Sequence, residues 1–143
     1  MQLTTHTDYA LRLLIYLAVR DESMPATVRS AAAHYGISDH HLAKVAQTLV
    51  KLGYLVGHRG RAGGLELARA EEAINVGRLV REVENLHLLE CFEPNSSCPI
   101  TPVCRLRTLL GEAQRAFLDV LDGHTLTTLI ANDEQLRAHL RTS

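Results

Sequence analysis

Residues 27–69 read TVRSAAAHYGISDHHLAKVAQTLVKLGYLVGHRGRAGGLELAR, and the order of signals within them decides the fold. Thr27 is a natural helix N-cap, and Val28 to about Tyr35 forms a short helix that Gly36 closes. Ser38 or Asp39 caps the next helix, whose apolar Leu42, Val45, Ala46, Leu49 and Leu52 recur at helical spacing up to Gly53. Two helices joined by a glycine-containing turn make a helix-turn-helix. Tyr54–His58 and Leu65–Ala68 then read as two short strands around the basic, glycine-rich tip Arg59-Gly60-Arg61-Ala62-Gly63-Gly64, which predicts a β-hairpin. Helix-turn-helix followed by hairpin is a winged helix, and the fold class is mainly α.

Working outward, a helix is expected from Thr7-Asp8 to about Arg20, with Leu11, Leu14, Ile15 and Ala18 on one face. Asp21, Glu22, Ser23 and Pro25 end it. A further helix runs from about Asn75 to Val83. From roughly Leu86 to Cys104, Pro94, Pro99 and Pro102 exclude regular structure over most of the segment. A long helix then starts near Arg105, its stripe of Leu106, Leu109, Leu110, Ala113, Phe117, Val120 and Leu121 suiting a helix–helix seam. Gly123 stops it, and a short capping helix from Thr125 to about Ala131 follows. Three functional parts result: a winged helix-turn-helix over 1–84, a cysteine loop over 85–104, and a dimerisation helix with its cap over 105–143.

The 143 residues suffice for one well-buried core with an appended element, and 46% hydrophobic against 22% charged is an ordinary globular balance. Apolar runs such as Leu13–Val19 are too short to span a bilayer, and the N-terminus lacks the pattern of a signal peptide, so the cytosol is expected. The formal net charge of −1 conceals an asymmetry. Residues 27–69 carry Arg29, Lys44, Lys51, Arg59, Arg61 and Arg69 against only Asp39 and Glu66, whereas residues 70–143 are net acidic. A basic segment joined to an acidic one suits a DNA reader joined to an effector or dimerisation element.

In a helix-turn-helix the N-terminal residues of the second helix face the base edges. Here those are Ser38, His40 and His41, with Lys44 and Gln47 beyond, all able to donate to bases or phosphates. Thr27 and Arg29 are placed to hold the backbone, and Arg59 and Arg61 on the narrow wing suit a minor groove, where the potential is most negative. Taken alone the wing arginines would read as solvated loop charges; the adjoining basic helix-turn-helix favours contact with DNA.

The remaining chemistry lies in Cys91-Phe-Glu-Pro-Asn-Ser-Ser-Cys98-Pro-Ile-Thr-Pro-Val-Cys104. Three cysteines within fourteen residues, an odd count in a reducing compartment, point to metal or redox chemistry over a disulfide framework. Three thiolates suit an iron–sulfur cluster or zinc, and both normally take a fourth ligand. Candidates are His87, Glu90 and Glu93 nearby and Asp8 at a distance. A small cluster carrier or redox enzyme is the reading from another class; no nucleotide-binding glycine motif and no supported catalytic pair argues for it, so no enzyme is expected. A zinc-dependent winged-helix repressor is a third reading.

At these residues the sequence resembles the NsrR-type nitric-oxide-sensing repressors, within the wider winged-helix family that includes IscR. The likeness rests on Met1-Gln2-Leu3-Thr4 through Thr7-Asp8-Tyr9 and Arg12, the Arg59-Gly60 and Gly63-Gly64 wing, and Val80-Arg81-Glu82. Most specific is Cys98-Pro-Ile-Thr-Pro-Val-Cys104-Arg105-Leu106. IscR-type members have a histidine shortly after the third cysteine, where this chain has Arg107. The resemblance implies a homodimer in which the helices at about 105–122 cross. It implies an iron–sulfur cluster on Cys91, Cys98 and Cys104, with Asp8 of the partner subunit as fourth ligand. The cluster type stays open, 4Fe-4S being favoured over 2Fe-2S. The function implied is repression of operator DNA, lost when nitric oxide nitrosylates the cluster; the alternative signal is iron supply, cluster status or redox state, as in the IscR branch.

Overall fold

The computed structural model describes residues 2–21, 23–60 and 63–141. Helix α1 spans Thr5–Val19, α2 Val28–Tyr35 and α3 Asp39–Lys51. Strands β1 (Leu55–His58) and β2 (Gly64–Leu67) form the antiparallel wing, with Leu55 opposite Leu67 and His58 opposite Gly64. Then come α4 (Val76–Val83), α5 (Arg105–Asp122), α6 (Leu126–Leu129) and α7 (Asp133–Arg141). The winged helix-turn-helix and the long helix thus stand as expected.

Local chemistry accounts for most of the boundaries. Thr27 caps α2 by accepting from the Ser30 N–H at 3.0 Å, and Gly36 closes that helix in the left-handed region at φ 61°. Asn75 caps α4 by accepting from the Arg78 N–H at 2.8 Å. Ser38 precedes α3 in extended backbone, and its side chain makes no capping bond.

Helix α1 begins earlier than its sequence signals suggest, with Thr4 as N-cap in place of Thr7-Asp8. Thr4 Oγ1 accepts from the Thr7 N–H at 3.4 Å, and a tertiary contact reinforces this cap. The Glu84 carboxylate, just past α4, accepts from Thr4 N–H at 2.8 Å, Thr4 Oγ1 at 3.0 Å and the buried Thr7 Oγ1 at 2.6 Å. An anion at a helix N-terminus stabilises the extra turn.

The core gathers Leu13, Leu14 and Tyr16 of α1, Ala31 and Ala32 of α2, Leu42 and Leu49 of α3, Tyr54, and Leu79 of α4, all fully buried. Leu126 and Leu140 join the same core from the C-terminal end. Helix α7, which carries Leu140 and packs on α1, was not foreseen; its charged composition gives a weak periodic signal. The wing is anchored by the Leu65 N–H donating to Ala26 O at 2.6 Å.

Between α4 and α5 the cysteine segment is more ordered than its prolines suggest. Two single turns of 3-10 helix, Glu90–Phe92 and Thr101–Val103, frame it. The apolar stripe of α5 is divided. Leu118, outside the expected stripe, is the buried residue, while Leu106, Leu109 and Val120 are 58%, 61% and 64% exposed.

Candidate functional site

Helix α3 separates two faces. Leu42, Val45, Ala46 and Leu49 are buried against the core, and His40, His41, Lys44 and Gln47 are exposed on the opposite side, with Ser38 exposed just ahead of them. The rings of His40 and His41 lie 6.3 Å apart between centroids. Arg29 on α2 is exposed, whereas Thr27 is half-buried with its oxygen engaged in capping. At the wing Arg59 is exposed and His58 Nε2 meets Glu66 Oε2 at 3.2 Å; Arg61 lies outside the described residues.

Two groupings escaped the reading of the sequence. Thr5, His6 and Tyr9 of α1 line a cleft of about 260 Å³ together with His41, Lys44 and Val45 of α3, so the N-terminal turn of α1 abuts α3. Arg69 donates from Nε to Gly53 O and from Nη2 to Leu52 O, both at 2.9 Å, and covers the Tyr54 ring at 4.4 Å. It thereby satisfies carbonyls left open at the end of α3. A basic residue some seventeen positions downstream gives no local signal of that role.

The Tyr54 hydroxyl, on a fully buried residue, donates to Glu82 Oε2 at 2.6 Å and so links the segment after α3 to α4. Burial first, and then the hydrogen bond to Glu82, push the Tyr54 hydroxyl up to about 12.

All three cysteines are reduced and half-buried. Cys91 and Cys98 line one cleft of about 500 Å³ with Phe92, Thr101 and Arg107. Cys104 stands at the start of α5 as its N-cap, its sulfur accepting from the Arg107 N–H at 3.4 Å. Among the described residues no three His, Cys, Asp or Glu side chains are gathered closely enough to hold an ion. The fold thus sets Cys91 and Cys98 on one cleft and Cys104 at the adjoining helix end. Their donor chemistry, free thiols half-shielded from water, fits a soft metal centre.

The candidate oxygen and nitrogen ligands are differently placed. Glu90 is committed to the loop, accepting from Ser97 N–H at 2.8 Å and Ser97 Oγ at 2.6 Å, and these bonds hold its carboxyl below the usual range. His87 Nδ1 faces Glu93 Oε1 at 3.9 Å. Asp8 accepts from Arg12 Nε at 2.8 Å, an i,i+4 pair whose side chains are 45% and 44% exposed. Its carboxylate is therefore accessible from solvent.

Among the described residues no helix is long and apolar enough to cross a membrane. Residues 3–132 match the Rrf2 family model, described as an iron-dependent transcriptional regulator. A Geobacillus kaustophilus protein named HTH-type transcriptional regulator NsrR is 48% identical over 143 residues, covering 99% of this chain and 97% of the relative. The solved structure of CymR, the global cysteine regulator of B. subtilis, superposes with TM-score 0.71 at 26% identity, over 92% of this chain and 98% of that one. T. potens IscR superposes with TM-score 0.72 at 23% identity over 96% and 91%, a likeness of fold. The NsrR-named relative is a transcriptional regulator, and this chain is likewise a DNA-binding transcriptional regulator and not an enzyme. By a match over most of its length and by close full-length relatives, the chain belongs to the Rrf2 family of transcriptional regulators.

Proposed function

We propose that this regulator is a cytoplasmic repressor that senses nitric oxide through a labile iron–sulfur cluster, held by Cys91, Cys98 and Cys104 with Asp8 of the partner subunit in a homodimer. The observation that carries the reading is the position of the three free, half-buried cysteines, on the one segment that joins the reading head to α5. When bound, the cluster supplies exposed iron, the atom nitric oxide attacks, with 4Fe-4S favoured over 2Fe-2S. The name shared by close relatives, NsrR, supports the repressor reading and agrees with that signal.

What the chain itself does follows from its contacts. Helix α1 carries Asp8 and packs against α3, so a carboxylate held by a partner fixes the tilt of the reading helix. Operators with two half-sites demand a fixed spacing between two reading helices, and release of Asp8 relaxes that spacing. Leu106, Leu109 and Val120 of α5 are large apolar groups that a second copy of the helix would cover. His40, His41, Lys44 and Gln47 read the major groove from α3, with Ser38, Thr27 and Arg29 on the flanking backbone and Arg59 and Arg61 in the minor groove. The division into reading head (1–84), cysteine loop (85–104) and dimerisation helix with cap (105–143) describes these three tasks.

The test is an anaerobic visible spectrum with iron and sulfide analysis, paired with binding to a selected operator, before and after nitric oxide. Brown protein that bleaches and releases DNA is the expected result. Protein that stays free of iron and sulfide after anaerobic reconstitution refutes the cluster, and zinc in its place identifies the zinc-dependent repressor. The family description, iron-dependent, favours one second reading: response to iron supply or redox state. Release of DNA by iron chelation or oxygen at nitric oxide levels without effect would select it.

A further inference from the structure

Arg107 touches the cysteine set at more points than any ligand assignment requires. Its Nε donates to the carbonyl oxygen of Cys91 at 2.8 Å. Its backbone N–H donates to Cys104 Sγ at 3.4 Å. Its guanidinium carbon lies 5.7 Å from the centroid of the Phe92 ring, and the side chain lines the cleft shared by Cys91 and Cys98. One residue on the first turn of α5 therefore reaches all three cysteines or their immediate surroundings. Among the described residues no carboxylate forms an ion pair with it, so its charge is not already neutralised within the chain.

We propose that Arg107 is a positioning residue for the cysteine site, holding Cys91 and Cys104 in register and setting a positive charge beside the anionic ligand set. The proposal rests on the iron–sulfur reading above. Two physical requirements meet in this side chain. Cys91 lies in a single 3-10 turn whose few internal bonds are Phe92 N–H to Leu89 O and Glu93 N–H to Glu90 O, both at 2.9 Å, so an external bond to the Cys91 carbonyl matters there. Three thiolates and a carboxylate give an iron–sulfur centre an excess of negative charge, which a nearby cation offsets. Arginine serves both needs because its planar fork donates directionally while the charge persists at every working pH. Arg105, two residues earlier, is exposed like Arg107 but does not line the cleft, so the two arginines are expected to differ.

The full chain, Arg107→Ala, Arg107→Lys and Arg105→Ala are compared, first metal-free and then after anaerobic reconstitution. In the metal-free proteins, amide exchange at Phe92 and Glu93 is expected to quicken in both Arg107 variants and to stay unchanged in Arg105→Ala. After loading, Arg107→Ala is expected to release iron to a chelator about tenfold faster, the lower end of the usual effect of removing an outer-shell partner. Its midpoint potential is expected to shift to more negative values, and Arg107→Lys to recover the potential but not the exchange protection. Unchanged exchange in metal-free Arg107→Ala overturns the positioning role. A potential that moves equally in the alanine and lysine variants overturns the charge role. If the parent chain takes up no iron or sulfide, the cluster reading fails, and the metal-free exchange comparison still decides whether Arg107 orders Cys91.

Discussion

Gly77→Ala sets helix propensity directly against packing, and the two predict opposite signs. Gly77 is buried in α4 where that helix meets the end of α5. A Cβ added there would stand 2.0 Å from Asp122 Oδ1, 2.9 Å from Asp122 Cγ and 2.8 Å from Asp122 backbone N. The carboxylate can swing aside only by leaving Arg81, whose Nη2 donates to Oδ2 at 2.7 Å. The backbone nitrogen has no such freedom and must recede by roughly half an ångström to reach ordinary contact. That movement is opposed by Asn75 Nδ2 donating to Asp122 O at 2.7 Å and Val76 N–H donating to His124 O at 3.0 Å.

Alanine in place of glycine favours an α-helix by about 1 kcal/mol. Forced overpacking costs about 1–3 kcal/mol. The Arg81–Asp122 pair, with side chains 38% and 40% exposed, is screened by solvent and adds little to the loss. The expected net effect is destabilisation by up to about 2 kcal/mol, read by urea unfolding followed at the helical circular dichroism band. Because α5 must shift against α4, operator affinity measured by anisotropy is expected to fall as well. An alanine variant more stable than the parent by about 1 kcal/mol would refute the close approach of α4 to Asp122.

Other perturbations test the remaining joints. Tyr54→Phe keeps the ring beneath Arg69 but removes the hydroxyl from Glu82, and a loss of about 1–2 kcal/mol in urea unfolding is expected; no loss would mean that water already serves Glu82. Lys44→Ala leaves the fold intact and is expected to lower the slope of log affinity against log salt by about 1; an unchanged slope removes Lys44 from the phosphate contacts. At Glu84, desolvation is the largest single influence and works upward, yet the bonds from Thr7 and Thr4 together hold the carboxyl below its ordinary 4.5. Its folded value being depressed, the stability it confers is full above 4.5 and fades as pH falls through the lower folded value. Thermal melts of the parent and Glu84→Gln are therefore expected to differ at neutral pH and to converge in acid; a constant gap would contradict the assignment.

Much of the reading head was legible because its signals are local. Thr27 and Gly36 bracket α2 through bonds to residues three or four positions away, and the period of Leu42, Val45, Ala46 and Leu49 states which side of α3 is buried. The cysteine segment displays its three thiols in the sequence itself. Its order was less legible, since Glu90–Ser97, Ser96–Thr101 and Arg107–Cys91 are side-chain bonds that no periodic pattern encodes. Helix α7 was missed because few apolar residues mark it, although Leu140 completes the core.

By itself the sequence determined the winged helix, the exposed donors on α3, the glycine-rich basic wing and the three thiols on one short segment. Only the tertiary structure decided that α1 starts at Thr5, that Leu118 faces the core while Leu106, Leu109 and Val120 remain uncovered, and that Arg107 meets Cys91. The physical reason is sequence distance. Caps and periodicity act within a helical turn or two, whereas Glu84 reaches Thr4 across eighty positions only after the helices between have packed, and Arg107 reaches Cys91 across sixteen positions of irregular chain.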